Sequence, residues 1–456
     1  MNLRKHFHRA VPVLTHSAPV VRPFAQGPSA SRPSTPSADN SFGASTTGRE
    51  LLEYLGEDSE DLFEPESLSE ADHERLQDLK GLGESWRNSR VDVRGGEWRW
   101  ASLHSPPSVA PFIHLASHAS NAIRPKPSPA PDIPPGTSSF QLIKHIDSSA
   151  LGVVKATSLY RATITSTGEE VVVVVVRACG GIGDWVIDGN MGMAAVEGDI
   201  IDMSVLSPNT EGSDQPQRHP PPLEAHRGFL HTVRGSISKV ASALEAAIRT
   251  AAGPQRPRVL FVGHSAGGAM AGLLFAHFVT CVRRYPFLDP PSEERGSGKI
   301  SLNCVTFGAL PAVSQNITPC IESCLTARSG GGSPPSIFIA IIIEGDPCIR
   351  LDMAYAIFLV QHLRSLHTSG SANAQQQQQP QTQRQNSPAP PPPLTMHALG
   401  KMAMFRNLNL YGAERDIRMY GIEENELEGV AFMDFTVHFM WRHMELVSEV
   451  IRQENS

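Results

Sequence analysis

At 456 residues the chain has room for one large domain or two ordinary ones, and its 40% hydrophobic content suffices for a packed core. The net charge of -7, with no Lys/Arg block or basic helix, carries no nucleic-acid signal and excludes that class of partner. The spacings of the six cysteines fit neither a zinc motif nor a small disulfide framework, and no apolar run approaches the ~20 residues of a membrane span.

Proline and glycine, 37 of each, are unevenly spread. Residues 1–48 are rich in Pro, Ser and Ala, 49–80 are acidic with scope for short helices, and 105–137 return to Pro and Ser. Residues 1–137 therefore read as a mostly disordered leader, and 138–456 as the folded domain. Pro12, His16 and Pro19 break any apolar core of a secretory signal, so the cytoplasm is the expected compartment. The first 38 residues contain no Asp or Glu and several Arg and Ser. That composition is shared with mitochondrial transit peptides, the alternative address, but reads more simply as an unstructured basic tail.

From about Phe140 the texture changes. Ser158–Ile164 alternates like a strand, and a Thr-Ser-Thr-Gly turn leads to six consecutive valines, Val171–Val176. β-branched residues favour strands, and unbroken hydrophobicity implies burial on both faces, as within a mostly parallel sheet. Val233, Ile237, Val240, Leu244 and Ile248 stand at helical spacing in His231–Thr250, which Gly253-Pro254 ends. Strands are predicted at Val259–Val262, Ser301–Phe307, Ile337–Ile343 and Lys401–Leu408, and helices at Ala266–Tyr285 and around Phe439–Ile451. Gln375–Gln379 and Pro390–Pro393 mark a low-complexity insertion over about 368–393, read as disordered. Strands alternating with helices give an α/β architecture.

The strongest signal is Gly263-His264-Ser265-Ala266-Gly267, lying directly between a predicted strand and a predicted helix. This is the context in which G-x-S-x-G forms a nucleophile elbow, where a serine on a strained turn projects its hydroxyl and bulky neighbours would collide. The following helix N-terminus offers free N–H groups to a developing oxyanion. A serine hydroxyl needs a base, so an acid and a histidine are expected later, in the order Ser, Asp/Glu, His. Asp346, in Glu344-Gly345-Asp346-Pro347 beyond the Ile337–Ile343 strand, is the candidate acid, with Glu344 and Asp352 as rivals. His438, just ahead of the last helix, is the candidate base among His362, His367, His397, His438 and His443. The loop after the valine strand makes Cys179 the candidate second oxyanion donor through its N–H, with that of Ala266 as partner.

In order along the chain, these residues resemble the class 3, fungal lipase-like, lipases of the α/β-hydrolase fold. The resemblance spans roughly 150–456. Val171–Arg177 with Asp184-Trp185 and Asp188 resemble the family's strand, Arg-Gly-Thr loop and Asp-Trp segment. His226-Arg227-Gly228-Phe229, Gly263–Gly268 and Thr306-Phe307-Gly308 with Pro311 resemble its next three motifs. Glu344–Pro347 with Arg350, and Val437-His438, resemble its acid loop and catalytic histidine. The resemblance implies a triad of Ser265, Asp346 and His438, an oxyanion hole at Cys179 and Ala266, and a lid near Gly181–Met193. Departures are Ala178 and Cys179 for Gly and Thr, Ala266 for Leu, and Cys348 and Ile349 for Val and Pro. The resemblance implies that losing the threonine hydroxyl donor weakens one oxyanion interaction.

The chemistry so implied is acyl transfer from a lipid ester without metal or organic cofactor, with a membrane or lipid-droplet surface as the site of encounter. A water-soluble carboxylesterase and a catalytically silent lipid-binding or scaffolding protein are the competing readings.

Overall fold

The computed structural model describes residues 91–92, 97–98, 109–123, 132–148, 155–177, 192–206, 222–251, 255–290, 299–329, 336–362, 390–407, 417–434 and 437–455. The expected disordered stretch at 1–48, the acidic stretch at 49–80 with its possible short helices, and the insertion apart from 390–393 lie outside these residues, as does most of the expected lid.

Five parallel strands form the centre of a nine-stranded sheet: β4 (Glu170–Val176), β7 (Arg258–His264), β8 (Leu302–Phe307), β9 (Phe338–Ile343) and β10 (Lys401–Asn407). Antiparallel strands flank them, giving the order β1-β11-β10-β9-β8-β7-β4-β3-β2. These outer strands are β1 (Glu97–Trp98), β2 (Thr137–Ile146), β3 (Thr157–Ile164) and β11 (Ile417–Ile422). A separate ribbon pairs β5 (Met193–Ala195) with β6 (Glu224–His226).

The valine strand shows why the sheet is buried on both sides. Val171, Val173 and Val175 enter one apolar cluster, while Val172, Val174 and Val176 enter the other. A period of two sends successive side chains to opposite faces, so only a strand covered twice can be valine throughout. β4 does not lie among parallel neighbours on both sides: it is parallel to β7 but antiparallel to β3, and so marks the border of the parallel region.

One face is covered by α3 (Arg227–Arg249), α4 (Ala266–Thr280), α5 (Thr318–Arg328) and a helical segment at 353–362. The short α2 (Met203–Leu206) precedes β6. The other face is covered by α1 (Ala110–Ala122) and α6 (Met440–Asn455). Every residue of α4 is buried, which explains why its sequence has no polar stripe. No described helix is long and apolar enough to cross a membrane.

Two elements fall inside the stretch expected to be leader, so the domain does not begin at residue 138. In α1, Phe112, Ile113, Leu115, Ala116 and Ala119 pack into the sheet, and the Arg258 guanidinium lies 4.0 Å over the Phe112 ring. β1 adds the edge strand beside β11. The proline-rich flanks hid a thirteen-residue helix whose small Ala and Ser positions permit close approach to the strands. The helix predicted over Ala266–Tyr285 ends at Thr280 and passes into a 3-10 turn, Val282–Arg284.

Candidate active site

The end of β7 delivers Ser265 to the mouth of the sheet. Its φ of 55° and ψ of -130° make it the one non-glycine residue with positive φ among the described residues. Such backbone costs about 1–3 kcal/mol and persists only where surrounding structure imposes it. Two contacts impose it here. The Ser265 N–H donates to the Phe307 carbonyl at the end of β8 (2.9 Å), and the Ser265 carbonyl accepts from Gly268 and Ala269 in the first turn of α4 (2.9 and 3.2 Å). The turn is so tight that a Cβ on Gly263 would sit 2.2 Å from the Gly267 carbonyl oxygen, and one on Gly268 would sit 2.9 Å from Ala309 Cβ. Ala266 is the first residue of α4, where N–H groups have no acceptor within the helix.

Asp346 follows β9. It caps the 3-10 turn Pro347–Arg350, accepting the Cys348 N–H at 2.9 Å, and is fully buried. His438 precedes α6 and is 2% exposed. Its Nδ1 donates to both Asp346 oxygens, at 2.9 and 3.1 Å. The two loops carrying these residues touch directly, since Asp434 N–H donates to the Gly345 carbonyl at 3.0 Å. Gly308 lies beneath the pair with φ +50°, and a Cβ there would meet Asp346 Oδ2 at 2.9 Å and the His438 ring at 3.0 Å. The sheet position next to Gly308 is Phe307, which holds Ser265. The elbow and the Asp–His pair therefore share one residue-wide floor.

His264 closes the arrangement. Its Nε2–H donates to the His438 carbonyl at 2.6 Å, and the two rings lie 4.7 Å apart. Burial, with His438 beside it, pushes the His264 pKa down to about 3. His264 is therefore neutral, as a ring crowded against another imidazole must be. His443, one turn into α6, sets its ring edge-on to His264 and Phe307. It is wholly buried, and burial followed by the neighbouring His264 and His438 hold it well below the usual histidine range. His438 Nε2 is buried with no hydrogen-bond partner among the described residues.

The rival candidates are engaged elsewhere. Glu344 pairs with Arg406 at 2.6 and 2.8 Å. Asp352 accepts from Tyr355 N–H at 2.8 Å and from Thr395 N–H and hydroxyl. His397 Nδ1 pairs with Glu424 at 2.6 Å, and His362 stacks on Phe358. His367 and Cys179 lie outside the described residues, as do residues 181–191 of the expected lid.

Tyr355, which sequence reasoning did not single out, and Arg350, named there only as part of the acid-loop motif, lock the acid loop to the segment leading to His438. Tyr355 hydroxyl donates to the Phe432 carbonyl and accepts its N–H, at 2.8 and 2.7 Å. Arg350, stacked 4.7 Å over Tyr355, donates to the carbonyls of Val430 and Pro392. At the far side of the elbow, His226 caps α3 by accepting the Phe229 N–H at 3.4 Å, and burial lowers its pKa to about 4. Its place in His-x-Gly-Phe was the available signal for that cap.

Residues 173–322 match the model of the family described as lipase (class 3). No curated protein sequence matches the chain. Similar solved structures include the Lip2 lipase from Yarrowia lipolytica, with 14% identity, TM-score 0.37, and coverage of 57% of this chain and 77% of that one. A triacylglycerol lipase from Penicillium expansum has 13% identity, TM-score 0.36, and coverage of 76% and 100%. A lipase from Rhizopus microsporus var. chinensis has 14% identity, TM-score 0.38, and coverage of 77% and 91%. The sheet is that of an α/β-hydrolase fold with a strained serine turn after β7, and residues 173–322, which include that turn, are similar to the class 3 lipases.

Proposed function

We propose that this protein is a serine hydrolase that cleaves carboxylic esters of lipids through Ser265, His438 and Asp346. The observation that carries the reading is the buried His438–Asp346 hydrogen bond set beside a strained serine elbow. With the Nδ1 proton donated to Asp346, the ring presents a lone pair at Nε2, the nitrogen that has no hydrogen-bond partner among the described residues. His438 takes the Ser265 proton there as the hydroxyl oxygen attacks the ester carbonyl. The Ser265–His438 hydrogen bond forms as substrate binds, since such contacts are often made only in the complex. The Ala266 N–H, at the positive end of α4, stabilises the oxyanion, with the Cys179 N–H as its partner. Asp346 stabilises the imidazolium that forms. His438 then returns the proton to the departing alcohol, and water repeats the sequence to release the acyl group.

A fluorophosphonate probe tests the reading. Labelling of the wild type and its loss in Ser265→Ala are expected; equal labelling of both would overturn it. Rates on emulsified against monomeric esters of the same acid separate a lipase acting at a lipid surface from a water-soluble esterase.

A further inference from the structure

Cys348 takes no part in the chemistry above. It is fully buried in the turn after Asp346, where the family resemblance expects valine. Its N–H holds one oxygen of Asp346 at 2.9 Å. Its sulfur, a carboxylate oxygen of Asp346 and a ring nitrogen of His438 all lie within 4.8 Å of one another. Among the described residues no other group of three or more His, Cys, Asp or Glu has this spacing.

We propose that Asp346, Cys348 and His438 form a binding site for a thiophilic divalent cation such as zinc, and that its occupation reversibly switches off the catalytic pair. The inhibitory half of this inference rests on the proposed roles of Asp346 and His438; the binding half does not. Thiolate, imidazole and carboxylate are the donor types zinc takes, at about 2.3, 2.0 and 2.0–2.2 Å in a tetrahedron whose ligand atoms lie about 3.3–3.8 Å apart. The Nδ1–carboxylate edge already measures 2.9 and 3.1 Å. Closing the sulfur from its 4.8 Å limit therefore asks for a shift of only about 1 Å.

The charges also fit. A dication with one carboxylate, one thiolate and a neutral imidazole sums to zero, so the occupied buried site carries no net charge. Bonds form from the metal to sulfur, oxygen and Nδ1, and water completes the tetrahedron. The thiol proton leaves to solvent, and the imidazole proton moves from Nδ1 to Nε2. A protonated Nε2 cannot accept the Ser265 proton, and Asp346 no longer holds the ring. The metal displaces the thiol proton, so binding weakens as pH falls.

The test uses the full chain, with cadmium as probe because its bond to thiolate absorbs in the ultraviolet. Ser265→Ala should take up one equivalent of cadmium with that absorption, and adding Cys348→Val should abolish it. In the wild type, zinc should slow fluorophosphonate labelling of Ser265, and a chelator should restore it. Cys348→Val and Cys348→Ser, each scored against its own zinc-free rate, should need more zinc by more than the roughly 10–100-fold that loss of a mere outer-shell partner costs. Should both Cys348 variants fail to fold, Asp346→Asn in the Ser265→Ala background should weaken cadmium binding instead. Absence of a stoichiometric cadmium–thiolate signal, or unchanged zinc sensitivity in the Cys348 variants, overturns the proposal. Absence of labelling in the metal-free wild type counts against the hydrolase reading alone, since the cadmium signal does not require it.

Discussion

His264 and His438 are joined by a 2.6 Å hydrogen bond from the imidazole of the first to the main-chain carbonyl of the second. The residue preceding the proposed nucleophile thus holds the backbone of the proposed base. Replacing His264 by leucine leaves that buried carbonyl without its donor, a loss of about 1–3 kcal/mol in stability. It also frees the imidazole of His438 to shift, and a displacement of about 1 Å at a reacting group costs on the order of 10²-fold in rate. His264→Leu should therefore lower the rate of fluorophosphonate labelling per folded molecule by roughly that factor. A rate within twofold of wild type would show that the contact does not position the ring.

Asp346→Asn preserves the shape of the side chain and an oxygen for the Cys348 N–H. It removes the charge opposite the imidazole and favours the wrong tautomer. The equivalent change in a studied serine protease lowers turnover by about 10⁴-fold, and a loss of that order in kcat is expected here with the thermal transition retained. Stopped ester hydrolysis in an unfolded variant would not count, so circular dichroism accompanies the assay.

The strain at Ser265 separates activity from stability. Glycine tolerates a φ of 55°, whereas alanine keeps the Cβ that makes it costly. Both Ser265→Gly and Ser265→Ala should abolish hydrolysis. In denaturant unfolding the glycine variant should be the more stable of the two by about 1 kcal/mol. Equal stabilities would mean that the elbow carries no backbone strain.

Three buried histidines give the fold a pH dependence of definite sign. Burial lowers the pKa of His226 to about 4 and, with His438 nearby, that of His264 to about 3; burial also lowers that of His443, again aided by its histidine neighbours. Each is neutral in the folded chain and gains a proton at about pH 6.5 when unfolded. Their contribution is complete above about 6.5 and is lost as pH falls toward the folded values. The slope is up to about 1.4 kcal/mol per pH unit for each histidine. Urea midpoints measured from pH 7.5 to 4.5 should fall steadily on acidification, and more gently in His264→Leu. A midpoint independent of pH across this range would contradict the neutral assignment.

The elements that carry the site were legible where chemistry restricts sequence tightly. A valine run can only be a doubly covered strand, and a serine between glycines at a strand–helix junction has few other uses. Order along the chain narrowed the acid to three residues and the base to five, but could not choose by distance. Choosing required knowing that Arg406 takes Glu344, that Thr395 and Tyr355 take Asp352, and that Glu424 takes His397. Each partner lies tens of residues or only a few away, and neither spacing has a sequence signature. The role of His264 was equally hidden, because the elbow pattern leaves that position open. α1 was missed because its flanking prolines dominate the local composition, and β2 and β11 because polar residues interrupt them and leave no continuous apolar run.

That α1 is part of the core bears on how the chain can be shortened. Phe112, Ile113 and Ala116 pack in one cluster with Val171, Val173 and Val175 of β4 and with Leu260 of β7, the strand that leads into the elbow. A protease or an alternative start that yielded a polypeptide beginning at Thr137 would strip this helix while sparing every residue of the proposed triad. Such a fragment would bare a greasy sheet face to water and aggregate, so any maturation that leaves a working enzyme has to cut upstream of Val109.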